Sequence, residues 1–383
     1  MIYMRVVLTG ISGLGKEDVL GKIRAIDKTI NSDQSIADPD VKFDYNGNID
    51  LSFDLEHEMC NSENFGTPNY LDITENELLH AKNKTLDKLL VESKGRTNVI
   101  LAMHAVYYRR NSLFSVLDWT KLREFEPEIF ITLIDDVYSL KDRIKNNPNA
   151  GPMEFIPLKD LLWWREVEFL LTREIARNIS KKSIPHYLVA LSQAPTIIFQ
   201  LMFETGKKKV YASYPVTMAK DDSGLNLETS AFLKSLKKHF IVFDPMAIKE
   251  KLLQDALIEN LSSPYPEPYI RIPGKDKKPQ NYEINDILSI ISDINGQIVS
   301  RDERLIMQSD MVIGYRPTKS PGAQHELIYA KNTGRVETFV VHPSIDSQSP
   351  FVPELADQTF LSVDQLLEGL HEKGYIKEPT QKL

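Results

Sequence analysis

The chain has 383 residues, enough for two domains of ordinary size, and its 42% hydrophobic and 26% charged content is that of a globular protein in water. A formal net charge of -8 argues against a nucleic-acid-coating surface, but a small anionic ligand held by local charge remains compatible with it. The single cysteine, Cys60, excludes intrachain disulfides and multi-thiolate metal sites, as expected of a reducing compartment. No apolar run reaches the roughly 18 residues that a membrane span needs. The opening MIYMRVVLTG has no basic segment followed by a long apolar one, so no secretory leader is expected and the protein is read as cytoplasmic.

In chain order, Met4 to Thr9 is a short apolar, β-branched run ending at a glycine, the pattern of a buried parallel strand. Apolar residues at helical spacing follow from Glu17 to Ile30. The stretch from Asn31 to Pro68, rich in Asp, Asn and Gly, gives only weak strand signals. A helix is predicted over Glu75 to Glu92, strands over Asn98 to Ala102 and Ile129 to Ile134, helices over Val137 to Ile144 and Leu158 to Ile179, and a strand over His186 to Leu191. After the polar bridge Thr205-Gly-Lys-Lys-Lys209 the pattern restarts. A strand at Val210 to Ser213, a helix at Thr229 to His239 and a strand at Phe240 to Asp244 are predicted. The five-proline segment Ser262 to Asn281 reads as a loop. A long helix falls within Ile284 to Met307, with strands at Met311 to Gly314 and Thr338 to His342 and a closing amphipathic helix over Val363 to Lys373. Strands alternating with helices predict α/β architecture with parallel sheets covered on both faces. Two domains are expected, residues 1–205 and residues 206–383.

Two strand–loop–helix units carry chemistry. The first, Gly10-Ile-Ser-Gly-Leu-Gly-Lys16, matches G-x-x-x-x-G-K between a strand and a helix. Gly10, Gly13 and Gly15 would let backbone N–H groups close around phosphate oxygens, and Lys16 would reach along them. A Ser or Thr hydroxyl for Mg²⁺ is expected next, but the residue is Glu17. In the second unit, the strand at Met311 passes through Lys319-Ser-Pro-Gly322 into a helix carrying Glu326. Open α/β sheets bind ligands at that end of their strands, and a helix N-terminus suits a phosphate. Glu326 would act at the anomeric carbon of a sugar as an oxocarbenium-like centre develops. Asp302, in the preceding helix, is the candidate second acid, and Ser320, Lys319 and the Gly322 backbone the candidate phosphate clamp. No H-E-x-x-H or Ser/His/Asp pattern is present and no metal ligand set is expected.

Residues 1 to about 195 resemble the archaeal type of adenylate kinase and related P-loop nucleoside monophosphate kinases. The likeness rests on the glycine loop, on Asn98-Val-Ile-Leu-Ala-Met-His-Ala105 and on helices bearing Arg143, Arg165 and Arg173, which the resemblance makes phosphate clamps. ATP or another nucleotide, with Mg²⁺, is the implied ligand. In that family the corresponding strand ends in Asp, Thr and His. Here His104 matches, while Ala102 and Met103 replace the other two, so a degenerate kinase fold that binds a nucleotide is expected.

Residues 208 to about 345 resemble the nucleoside 2-deoxyribosyltransferase-like superfamily, in its nucleoside 5′-monophosphate N-hydrolase branch. The likeness rests on Val210-Tyr-Ala-Ser213 entering a substrate loop, a helix with Asp302 ahead of a Ser-Asp-Met-Val-Ile strand, and the Ser320-x-Gly-x-x-x-Glu326 turn and helix. The resemblance implies a Rossmann-like doubly wound domain with Glu326 as nucleophile and Asp302 assisting departure of the base. It also puts Tyr211, or less readily Tyr214, against the sugar and the glutamate, with Ser213 at the strand end. Ser320 in place of an aspartate points to a phosphorylated substrate. The function expected is an N-glycosidase, hydrolase or transferase, acting on a nucleotide. The alternatives are a nucleoside monophosphate kinase with an inert C-terminal domain and a non-enzymatic nucleotide sensor. Partners expected are a small nucleotide and a second copy of the chain, with no nucleic acid and no membrane.

Overall fold

The computed structural model describes residues 4–29, 38, 40, 41, 43, 48–61, 72–146, 155–216, 222–273, 279–334, 336–343 and 353–377. The first strand, β1 (Met4–Thr9), is almost wholly buried and ends at Gly10, and α1 (Lys16–Thr29) follows the glycine loop. Next come β2 (Leu51–Asp54), α2 (Leu55–Asn61), α3 (Glu75–Glu92) and β3 (Asn98–Met103). Thr74 starts α3 with a reciprocal cap: its hydroxyl accepts from the Glu77 N–H while the Glu77 carboxylate accepts from the Thr74 N–H at 2.8 Å. A short antiparallel hairpin, β4 (Tyr107–Arg109) and β5 (Ser112–Phe114), leads through α4 (Trp119–Glu124) to β6 (Ile129–Ile134), α5 (Val137–Lys145), α6 (Leu158–Asn178) and β7 (His186–Ala190). The parallel sheet runs β2-β3-β1-β6-β7, which puts β1 and its loop at the centre. Apart from Asn98 and Thr132, β3 and β6 are apolar, because helices flank the sheet.

The second sheet runs β14-β13-β12-β8-β9 and is also entirely parallel. After α7 (Ala194–Phe203), its elements begin with β8 (Lys209–Ser213), α8 (Ser223–Lys237) and β9 (Ile241–Phe243). The chain then makes α9 (Lys251–Ser262), β10 (Tyr269–Pro273), β11 (Pro279–Glu283) and the long α10 (Ile284–Met307). It returns to the sheet with β12 (Met311–Tyr315), α11 (Pro321–Ile328), β13 (Glu337–Val341), β14 (Gln358–Phe360) and α12 (Val363–Glu372). One face of this sheet packs Val210, Ala212, Met311, Ile313, Tyr315 and Phe339 against Phe232 and Leu236 of α8 and Leu366 and Leu370 of α12.

Two compact units emerge, and neither is contiguous in sequence. One comprises residues 1–31, 47–195 and 248–298, and the other residues 32–46, 196–247 and 299–383. Every strand of the first large sheet precedes residue 206 and every strand of the second follows it. The segment read from sequence as a loop, Ser262 to Asn281, is corrected: it holds most of the β10–β11 hairpin. Its prolines misled because Pro273 and Pro279 face each other on the last rung, where a missing N–H costs no interior hydrogen bond. Ile270, Ile272 and Tyr282 are buried on it. Ile30, Thr217 and nearly all of Asn31 to Tyr45 lie outside the described residues. Among the described residues no helix is long and apolar enough to cross a membrane.

Candidate functional site

In the first unit the glycine loop leaves β1 and enters α1, as the motif requires. Gly13 (φ +87°) and Gly15 (φ +63°) take left-handed backbone that other residues rarely adopt. A Cβ on Gly13 would also lie 2.8 Å from Ile144 Cγ1. The Gly10 N–H donates to Glu168 at 2.9 Å, and Glu168 also accepts from the N–H groups of Ala105 and Val106. From Ile11 to Gly15, Ser12 and Gly13 form a hydrogen-bonded turn, and no loop N–H donates to a side chain among the described residues. The cradle that suits phosphate oxygens is therefore present.

The side chains around it are paired within the protein. Lys16 is buried and turned inward, donating to the Gly10 carbonyl at 3.1 Å and lying 3.1 Å from His104 Nε2. Burial, then the charge on Lys16, pushes the His104 imidazole down to about 3, so it stays neutral and receives the ammonium. Glu17 pairs with Arg24 at 2.8 Å. Arg143 braces the loop, donating to the Gly13 carbonyl and pairing with Asp135 at 2.6 Å. Arg165 is buried, with its guanidinium spent on Glu250, Gln297 and the Asp135 carbonyl. Arg173 stacks over Phe169 and lies 3.6 Å from Glu174. The loop thus fits a phosphate, but Mg²⁺ has neither a hydroxyl at position 17 nor an acid at position 102 to hold it. Sequence reasoning missed Asp54 at the end of β2, a buried carboxyl in the field of Lys16.

The second unit concentrates acid rather than pairing it. β8 ends at fully buried Ser213, and its hydroxyl donates to Glu326 Oε2 at 2.6 Å. Glu326 sits on α11, whose first turn is capped by Ser320, the hydroxyl accepting from the Ala323 N–H. Glu326 keeps some exposed surface, yet its carboxyl is enclosed enough that burial is the largest influence on it. Burial, then the neighbouring Asp302, pushes it up to about 8, against the hydroxyls of Ser213 and Tyr211 and the charge of Arg301. Asp302 on α10 is held by the Arg301 guanidinium at 2.9 Å. The Tyr211 phenol is fully buried and interacts with both carboxyls, but it makes no hydrogen bond of ordinary geometry. Beside it, Tyr214 donates to Asp244 at 2.5 Å. Glu326, Asp302, Tyr211 and Ser213 are therefore brought together. Lys319 and Gly322 are exposed on the turn.

Two like charges in one enclosed site cannot both ionise cheaply, so the carboxyl pair retains a shared proton near neutrality. Such a pair can present one carboxylate and one acid to the same substrate. Sequence reasoning missed Arg316, which is buried between the end of β12 and Pro317. Its signal was a lone cation directly after an apolar strand.

No protein-family profile matches the chain, and no curated protein matches it in sequence. Among solved structures, shikimate kinase from Bacteroides thetaiotaomicron aligns over 52% of this chain and 97% of its own, at 14% identity and a TM-score of 0.28. A likeness of that size assigns no activity. The fold is mixed α/β with two five-stranded parallel sheets flanked by helices.

Proposed function

We propose that the second unit is an N-glycosidase for a nucleoside 5′-phosphate, with Glu326 as nucleophile and Asp302 as the acid for the departing base. The observation that carries this reading is the Ser213–Glu326 hydrogen bond of 2.6 Å in an enclosed site shared with Asp302 and the buried Tyr211 phenol. Ionised Glu326 attacks C1′, forming a C1′–O bond as the C1′–N bond breaks. The electron pair leaves on the base nitrogen, and the proton that the carboxyl pair shares passes through Asp302 to that nitrogen as Glu326 ionises. Water then attacks C1′, the ester bond returns its pair to Glu326, and the proton from water goes back to the carboxyl pair. Ser213 holds the nucleophile in one rotamer. The Tyr211 hydroxyl has an unmet hydrogen-bond capacity that a sugar oxygen would satisfy. A panel of ribo- and deoxyribonucleoside monophosphates, nucleosides and NAD, with free base followed by chromatography, tests the reading. Release from at least one monophosphate is expected, and release from none of the panel rejects it.

The left-handed glycines of the loop, and its N–H groups that no side chain accepts from among the described residues, support a second role, nucleotide binding at the P-loop of the first unit without phosphoryl transfer. ATP or a related nucleotide would lie with its phosphates on that loop and on Lys16. Calorimetry with ATP and a non-hydrolysable analogue is expected to show binding weakened in Lys16→Met. Nucleoside diphosphate formed from ATP and a monophosphate would show a working kinase instead.

A further inference from the structure

Arg316 is a buried cation with no counter-charge among the described residues. It is 5% exposed, and its Nε and Nη1 atoms are enclosed without a hydrogen-bond partner. Burial alone lowers its affinity for the proton, with no neighbouring acid to restore it. Uncompensated burial of a charge is among the costliest arrangements a fold can hold. Other buried arginines here meet a carboxylate, as Arg165 meets Glu250 and Arg301 meets Asp302.

His342 stands beside Arg316 at the same edge. Tyr315 and Val341 form the last rung between β12 and β13, and the Arg316 N–H donates to the Val341 carbonyl at 2.8 Å. Arg316 and His342 are therefore the next pair along. Alternation puts them on the face occupied by Gly314, Val340 and Leu327 of α11, where Ser213 also points at Glu326. His342 is buried as well, and its Nδ1 has no hydrogen-bond partner among the described residues. A guanidinium and an imidazole with unmet polar atoms, at the C-terminal edge of a parallel sheet, form the donor half of an oxyanion site.

We infer that Arg316 and His342 form a buried oxyanion-binding site in the second unit, taking a phosphate group either free or carried by a nucleotide. The Ser320 turn does not account for it, because Ser320 Oγ caps α11 and neither Arg316 nor His342 contacts that hydroxyl. Where the phosphate belongs to the nucleotide substrate, the inference rests on the glycosidase reading. The binding itself does not.

The test is the thermal midpoint of the full chain against inorganic phosphate, with chloride adjusted to constant ionic strength. It is run in a Lys16→Met background that silences the P-loop. A saturable rise is expected, weakened at least tenfold in apparent affinity by Arg316→Met. Without phosphate, Arg316→Met is expected to melt at or above its parent, because a charge lacking a partner has been removed. Arg316→Lys, which keeps the charge but loses the planar fork, is expected to fall between. An unchanged phosphate response in Arg316→Met overturns the inference. A lower midpoint of Arg316→Met without phosphate also overturns it, since the guanidinium would then be a structural strut. A monophosphate that acts at a concentration tenfold below inorganic phosphate, with the unphosphorylated nucleoside inert, assigns the site to the nucleotide; equal responses to phosphate and monophosphate assign it to the free anion. A wild-type phosphate response with no base release from any substrate rejects the catalytic reading alone.

Discussion

The loop after β1 and the loop after β12 are built alike, each leaving a central strand of a parallel sheet and entering a helix, but their electrostatics differ. In the first, Lys16, Glu17, Arg143 and Arg165 each have a partner of the protein's own. In the second, Glu326 and Asp302 press like charges together and Arg316 meets no opposite charge among the described residues. A site whose charges are already met can bind through its backbone with little rearrangement. A site left electrostatically strained gains most when a ligand arrives, which is where perturbed acids and catalysis tend to coincide. Under the proposed function, binding falls to the first loop and reaction to the second.

The largest effect that would break this contrast is at Asp302. Asp302→Asn is expected to slow base release by about 10²–10⁴-fold through loss of the proton donor. Substrates with better leaving bases should lose less, and an equal loss across bases would remove Asp302 from the proton path. Ser213→Ala comes next, at about tenfold, from the loss of one hydrogen bond to a charged carboxylate. Because that bond holds the Glu326 carboxyl down, its loss should shift the acid limb of the pH–rate profile toward higher pH. A shift toward lower pH would contradict the role.

Stability sharpens the same contrast. The Glu326 carboxyl is raised in the folded state from the ordinary 4.5 to about 8. The native protein therefore holds a proton that the unfolded chain releases between those values, so the contribution of this group declines as pH rises through that window. Glu326→Gln is expected to unfold at higher denaturant than the parent at pH 9, by up to about 5 kcal/mol, with the two converging near pH 4. Urea melts at the two pH values read this directly, and a gap that widens toward acid would reverse the sign. The smallest effect belongs to the first loop. Lys16→Met should weaken ATP binding while leaving base release from a monophosphate within about twofold, and a larger loss of release would mean that the P-loop takes part in the chemistry.

Much of this organisation was legible in the residues. Met4 to Thr9 and Met311 to Gly314 are apolar runs ending in turn residues, and each carries its loop where the sheet needs it. The bond from Ser213 to Glu326 was not legible: Ser213 reads from sequence as a substrate-binding residue, and only the fold brings its strand end against the helix of Glu326. β2 was not legible, because Leu51–Asp54 is four residues long and becomes a strand only by pairing with β3. The ion pair of Arg165 was hidden for a related reason: Glu250 lies 85 positions away and reaches it only through the fold. Arg316 was overlooked because a cation beside a proline reads as surface, and only its burial shows otherwise.

The nucleophile is the most direct point of attack. On the best monophosphate of the panel, initial rates of base release should be measured for the parent and Glu326→Gln at equal folded concentration. The account predicts a loss of at least about 10³-fold in the variant, since the amide cannot form the bond to C1′. Release by Glu326→Gln within tenfold of the parent would contradict it.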